Sequence, residues 1–308
     1  MLANFFDKSK PVNFILIAAL FCFAFFIAVV PVFLSEIATG KFLLESIGLF
    51  LFFSFLFFLF NFILAKNNLT FDNSYAFLFF VLFLCFFPTV FQFTKPVYVT
   101  VFLLFFLRKI YSLESFTSSI QKLFDAGFWL GIAVLIEPSA IVFVALLYAA
   151  IYNYHKINIQ RTFVPIVGFC TPLIVYVGAC LYSDISLDFS RFVTPFETMD
   201  TSMFEGVSFR YSFIFVSVFV GVAILVKTPK ALAVSNAFKK SWLLVVFNLV
   251  LSIFLMLWST DKSETAVIYF VFPVAIILAN GMEALPKKWV KELFIYGLFL
   301  GAIGSRFL

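Results

Sequence analysis

The stretch GIAVLIEPSAIVF, Gly131 to Phe143, decides how this chain folds. It lies in an otherwise apolar run from Ala126 to Tyr154 that Glu137 and Pro138 interrupt. A proline pushes the residue before it out of helical geometry. The run is therefore either one long interrupted helix or two arms that double back at Glu137.

The composition is that of an integral membrane protein. Hydrophobic residues make up 64% of the chain, charged residues only 12%, and the mean hydropathy is +1.11. Soluble domains carry about 25% charged residues. The apolar runs are continuous, unlike the alternating segments of about ten residues in a barrel. We expect an all-α polytopic bundle of about eleven spans (nine to eleven) in one transmembrane domain, 1–308. The runs are 11–34, 43–65, 74–93, 97–113, 124–136, 138–154, 162–182, 210–226, 241–258, 265–282 and 291–308.

Basic residues predict the orientation, because Lys and Arg are enriched in cytoplasmic loops. With a cytoplasmic N-terminus and eleven crossings, fifteen of the 21 basic residues lie inside and six outside. If 126–154 crossed only once, the count would become ten inside against eleven outside. The bias therefore favours a helical hairpin at 124–154. We expect the protein to lie in a bacterial inner membrane.

Glu137 is the strongest candidate for a functional residue. The rising arm, 124–136, reaches only about 20 Å at about 1.5 Å per residue, whereas the hydrocarbon core is about 30 Å thick. This places Glu137 inside the bundle, at the floor of an outward-facing hollow, where it could take a proton, hold a cation or orient a substrate hydroxyl. Alternatively, the tip is hydrated at the interface of a thin membrane. Possible partners on the outer side are Lys95, Arg191 and Arg210.

The longest outer loop, 183–209, supplies further candidates. Phe189, Phe192 and Phe196 have helical spacing, which predicts a short helix lying on the outer leaflet. The groups that could bind a substrate or lipid there are Asp184, Asp188, Arg191 and Arg210. Asp184 with Asp188, like Glu36 with Glu45 in the first outer loop, could act as a base or bind a divalent ion. The alternative is that these are solvated loop acids.

Several classes of function are disfavoured. The single histidine, His155, is interfacial, and neither it nor the scattered acids predict a metal site. The four cysteines all lie in apolar runs. No phosphate-binding glycine loop or nucleophile elbow occurs. We expect no cofactor, no metal and no nucleic-acid partner, and the sequence favours a role that is not enzymatic.

Two resemblances bear on function. The opening MLANFFDKSKPVNFILIAAL, with the Phe-rich spans, resembles a family of polytopic inner-membrane proteins from Bacteroidota that has no agreed activity. Residues 124–177 resemble the middle of the GT-C membrane glycosyltransferases, with a Gly-rich short span, a polar-Pro break and an apolar return. That resemblance implies a transferase acting on a polyprenyl-phosphate-linked sugar, with Glu36 as base and Glu137 shaping the pocket. Here the first outer loop has only about eight residues, and the acidic pair of such enzymes is missing.

Three hypotheses follow from these observations. The first is an integral subunit or scaffold of a larger membrane protein complex, with other integral membrane proteins and membrane lipids as partners. The second is the GT-C-like transferase, working at the periplasmic face. The third is a lipid or ion carrier that uses Glu137.

Overall fold

The computed structural model describes residues 2–35, 40–115, 118–154, 158–184, 201–233 and 236–307, and within these ranges it contains helices and no strand. Short 3-10 helices precede, follow or join the α-helices. The α-helices are α1 (Leu2–Phe6), α2 (Pro11–Ser35), α3 (Gly40–Asn67), α4 (Tyr75–Phe86), α5 (Lys95–Tyr111), α6 (Ser119–Ile136), α7 (Val144–Tyr154), α8 (Ile159–Tyr182), α9 (Val207–Ala233), α10 (Asn236–Trp258), α11 (Val271–Ala284) and α12 (Lys288–Gly304).

The helices coincide with the apolar runs of the sequence. Among the residues that the structure describes, eight helical segments are long and apolar enough to cross a membrane. Two more apolar segments, Tyr75–Phe86 and Pro138–Tyr154, are shorter. The prediction of an all-helical protein rich in candidate spans is confirmed. The number of crossings stays a prediction.

The chain divides into two compact units. Unit 1 comprises 1–93, 202–239 and 270–308, and unit 2 comprises 94–201 and 240–269. Unit 1 therefore contains α1 to α4, α9, α11 and α12. Unit 2 contains α5 to α8 and most of α10.

In unit 1, α11 is the central helix and packs against α4 and α9. Gly281 permits this packing, because a Cβ there would lie only 2.4 Å from the Cβ of Ala223 on α9. Phenylalanine rings fill the neighbouring space. The ring of Phe60 is fully buried and lies 4.7 Å from that of Phe80 and 5.5 Å from that of Phe272.

In unit 2, α6 and α8 meet backbone to backbone. A Cβ on Gly127 would lie 2.1 Å from the carbonyl oxygen of Pro165, and one on Gly168 would lie 2.2 Å from that of Phe124. Small residues at helix interfaces allow such close approach in membrane proteins. The glycines of α6 therefore fix the arm that leads to Glu137 against α8.

Adding a single methyl group at the contact between α6 and α8 should destabilise unit 2. We expect Gly127→Ala to lower the free energy of unfolding by about 2–3 kcal/mol, because the backbone of α8 must move away. Gly178→Ala on α8 is the matched control, since nothing lies within 4 Å of a Cβ there. It should be neutral or stabilising by up to about 1 kcal/mol. Thermal unfolding in detergent would measure both; equal effects would contradict the close helix contact.

Candidate functional site

Glu137 forms the elbow between α6 and the 3-10 helix Pro138–Phe143. Its backbone is extended (φ −131°, ψ 99°), and its N–H donates to the carbonyl oxygen of Ala133 at 2.8 Å. The helix thus ends at the residue before proline. The side chain of Glu137 has 0% solvent exposure, so its carboxylate must be satisfied by the protein itself.

Hydroxyl and amide groups surround this carboxylate. The hydroxyl of Ser139 donates to Oε1 at 2.6 Å, and the hydroxyl of Ser259 donates to Oε2 at 3.1 Å. Thr260 donates its hydroxyl to Oε2 at 2.8 Å and its backbone N–H to both oxygens at 3.1 Å. A carboxylate has about four lone-pair sites. These donors therefore meet most of the hydrogen-bonding capacity of Glu137.

Two of the three donor residues come from the turn that follows α10. The backbone N–H of Asp261 donates to Ser259 Oγ at 3.3 Å, and that of Ser263 donates to Asp261 Oδ1 at 3.0 Å. Short polar side chains commonly build turns in this way. The turn is thus shaped by its own side chains, and it presents Ser259 and Thr260 to the elbow.

The segment after Glu137 runs along the length of α10. Tyr154, which ends α7, bonds through its hydroxyl to Ser241 Oγ at 2.9 Å, near the start of α10. Glu137 bonds to Ser259, just beyond the end of α10. The arm 138–154 therefore starts at one end of α10 and finishes at the other.

The start of α6 lies at the same end as Tyr154. Lys109 near the end of α5 pairs with Asp125 near the start of α6 at 2.6 Å. The 3-10 helix Ser112–Glu114, which leads from α5 towards α6, contacts α7. The two arms on either side of Glu137 therefore run in opposite directions. Which side of a membrane each end faces stays a prediction.

The other residues singled out from the sequence do not join this cluster. Glu36, Asp188 and Arg191 lie outside the described residues, as does His155. Asp184 is exposed just after α8 and has a positive φ of 50°. In unit 1, Arg210 is exposed and its guanidinium lies 5.8 Å from the ring centre of Tyr211. Lys95 is exposed at the start of α5. The groups that donate to Glu137 are the hydroxyls and the backbone amide given above, and the predicted partner Lys95 is not one of them.

A second buried charge cluster, in unit 1, was not predicted from the sequence. Lys227 on α9 pairs with Glu283 on α11 at 3.0 Å, and their side chains are only 6% and 10% exposed. The ammonium group lies 5.1 Å from the ring centre of Phe71 and 4.8 Å from that of Phe238. Cations are attracted to the faces of aromatic rings at such distances.

The partner carboxylate is also hydrogen-bonded. Glu283 Oε1 accepts from the backbone N–H of Phe71 at 2.9 Å and from the side-chain amide of Asn73 at 2.6 Å. Lys227 therefore ties α9 to α11, and Glu283 ties both to the loop between α3 and α4. Breaking such a buried pair is costly because one charge stays buried without its partner.

An apolar groove of about 550 Å³ lies between α2 and α3. Its wall includes Phe26, Val29 and Ile47, and its polar lining is limited to Ser46 and Cys22. Val29 and Ser46 also line a smaller hollow of about 390 Å³ that includes Glu45. An apolar wall beside a polar mouth suits an amphiphile, but the predicted lipid partners stay a prediction.

Within the part of the chain that the structure describes, no group of three or more His, Cys, Asp or Glu residues could hold a metal ion. All four cysteines are free. Glu137 and the Lys227–Glu283 pair instead bind to groups of the chain itself. The candidate site thus consists of two hydrogen-bonded clusters, one in each unit.

These features define a class: a helical protein with spans apolar enough for a membrane and with buried, hydrogen-bonded charges. Residues 9–307 match a family described as a family of unknown function, DUF6427, and the chain belongs to that family. No curated protein and no solved structure matches the chain.

Proposed function

We propose that this protein is an integral subunit or scaffold of a larger protein complex in a bacterial inner membrane, with its N-terminus in the cytoplasm. The role requires helices that can sit in a bilayer and a surface that other membrane proteins can cover. It requires no reactive group. The periplasmic placement of the 183–209 loop belongs to the same proposal.

The observation that carries this proposal is the environment of Glu137. A catalytic or transport carboxylate must meet its substrate, ion or proton at some stage. The carboxylate of Glu137 is fully buried and hydrogen-bonded to three residues of its own unit. This arrangement favours a residue that fastens the elbow to the turn after α10.

Apolar side chains point outward from several helices and support a docking role. Leu44 on α3, Ile174 on α8 and Leu225 on α9 are 74%, 69% and 75% exposed. Such apolar side chains pack favourably against lipid or against another membrane protein. The predicted integral-membrane partners would cover part of these faces.

The GT-C-like transferase is the second candidate, and it rests on Glu36 as base with Glu137 shaping the pocket. The hydrogen bonds that Glu137 accepts favour the subunit proposal over this one. The burial and the hydrogen bonds of Glu137 also count against a carrier that uses this residue. The transferase proposal can still be tested through Glu36.

Affinity purification at native expression level tests the proposed function. A tagged copy, extracted in mild detergent and analysed by quantitative mass spectrometry, should retain one or more integral membrane proteins in near-stoichiometric amounts. The same complex should migrate as one species on a native gel. A tagged polytopic protein of similar size and abundance is the control for non-specific capture.

Two results would count against the subunit role. One is a monodisperse lone chain under these mild conditions. The other is a Glu36→Gln variant that keeps the fold and every partner yet loses the cellular function of the wild type. The second result would favour the transferase.

A further inference from the structure

One end of unit 1 brings together parts of the chain that are distant in sequence. The carboxylate of Glu292, near the start of α12, accepts from the backbone N–H groups of Leu2 and Ala3 at 3.1 and 3.2 Å. Asp7, just after α1, lies 3.8 Å from the ammonium group of Lys291. The short helix α1 is thereby fixed against the start of α12.

The loop after α3 and the ends of α9 and α11 belong to the same end of unit 1. The amide of Asn280 donates to the carbonyl oxygen of Leu69 at 2.9 Å. Glu283 accepts from Phe71 and from Lys227, which join the loop and α9 to the end of α11. This end of unit 1 is called the basic end below. Its lysines are Lys8, Lys10, Lys66, Lys227, Lys230, Lys239, Lys287, Lys288 and Lys291.

The basic end carries a strong net positive charge. Its nine lysines face four acids, namely Asp7, Asp72, Glu283 and Glu292, for a net charge of +5. At the opposite end of unit 1, where Ser208 donates to the carbonyl of Ser305, the described charged side chains are two acids and two arginines, for a net charge of 0. The asymmetry is thus a property of the folded unit.

Two of the four acids of the basic end are bonded inside the unit, whereas Asp7, Asp72 and many of the lysines are exposed. Glu283 and Glu292 accept the hydrogen bonds already given. Lys287 and Lys288 are exposed, as are Lys8, Lys10 and Lys66. The neighbouring Trp289 is 63% exposed. Tryptophan is enriched at the level of lipid headgroups, so this surface combines positive charge with an interfacial anchor.

We propose that the basic end binds the headgroups of anionic phospholipids. Lysines near a membrane surface attract anionic lipids, and each contributes about a fivefold gain in affinity. The surface would act in this way whether or not the chain has protein partners. Helices of the same unit are long and apolar enough to span a membrane, and in a bilayer they would bring these lysines to the level of the headgroups.

Quenching of Trp289 by brominated phosphatidylglycerol tests this proposal with the full chain in an uncharged detergent. The signal of Trp289 is isolated as the difference between wild type and Trp289→Phe. Lys287→Gln/Lys288→Gln should raise the half-quenching concentration about 25-fold. Lys95→Gln/Arg306→Gln removes the same charge at two exposed residues elsewhere and should leave the half-quenching concentration unchanged. High salt should weaken quenching in the wild type.

Three outcomes would overturn the proposal. Brominated phosphatidylcholine could quench as well as the anionic lipid, which would indicate an apolar contact only. The two double variants could shift equally, which would indicate a general effect of net charge. Inorganic phosphate could displace the lipid when sodium chloride of equal ionic strength does not, which would indicate a site for free phosphate.

Discussion

Glu137→Ala should lower the free energy of unfolding by about 3–5 kcal/mol. The substitution leaves the hydroxyls of Ser139, Ser259 and Thr260, and the backbone N–H of Thr260, without the acceptor they now share. A buried hydrogen bond to a charged group contributes about 1.5–3 kcal/mol, and a donor left unsatisfied adds a cost of similar size. Thermal unfolding of the purified protein in detergent would measure the loss.

Two companion variants separate this effect from simple loss of charge. Glu137→Gln keeps the shape and one acceptor oxygen, so it should cost about half as much as alanine. Glu205→Ala removes an exposed acid and should change the unfolding free energy by less than about 0.5 kcal/mol. If Glu137→Ala were as mild as Glu205→Ala, the carboxylate would not be fastening the elbow.

Glu283→Ala should destabilise unit 1 by a similar amount, about 3–5 kcal/mol. Lys227 would be left as a buried cation beside the stacked rings of Phe71 and Phe238, with no carboxylate to neutralise it. The backbone N–H of Phe71 and the amide of Asn73 would also lose their acceptor. Thermal unfolding in detergent again provides the measurement.

Lys227→Met measures how much of the destabilisation by Glu283→Ala comes from leaving the charge of Lys227 buried without a partner. In the Lys227→Met background, Glu283→Ala no longer leaves a buried cation, so it should cost at least about 1 kcal/mol less than in the wild type. Lys66→Met, at an exposed lysine of the same end, is the matched control and should leave the cost of Glu283→Ala unchanged. Strictly additive effects of Lys227→Met and Glu283→Ala would contradict a buried ion pair.

Much of the fold follows from the sequence because bilayer helices need long apolar runs. Each run corresponds to a helical segment, and the break in 126–154 falls at Glu137, where proline disfavours helical geometry for the preceding residue. Helix-to-helix contacts were not predictable in the same way. Nothing in the sequence distinguishes Gly127 and Gly168 from the other glycines. Their close backbone neighbours arise only from the packing of α6 on α8.

Glu137 was singled out as a carboxylate in an apolar run, and its functional role stays a prediction. The sequence suggested cationic partners for it, whereas the structure shows hydroxyl and amide donors. The hydroxyl-rich stretch STDKSET, 259–265, was visible directly after an apolar run. Nothing in the sequence pairs residue 137 with residues 259 and 260, because that pairing depends on the arm 138–154 running the full length of α10.

Lys227 and Glu283 were missed for a different reason. Each lies near the end of an apolar run, where charged residues usually face water, so neither was singled out. In the structure the loop after α3 bonds to Glu283, and the stacked rings of Phe71 and Phe238 lie beside the ammonium group of Lys227. Side chains at the end of a run can therefore be buried by another segment that the sequence does not identify.

The bond between the elbow and the turn after α10 gives Glu137 its structural role, and a double-mutant cycle on Glu137 and Thr260 measures that bond directly. Thr260→Val removes the hydroxyl that lies 2.8 Å from the carboxylate while keeping the shape of the side chain. We expect Glu137→Ala and Thr260→Val to be coupled by about 1–3 kcal/mol in the free energy of unfolding, because alanine removes the acceptor and valine removes the donor hydroxyl. Additivity within about 0.3 kcal/mol would contradict the contact and the structural role assigned to Glu137.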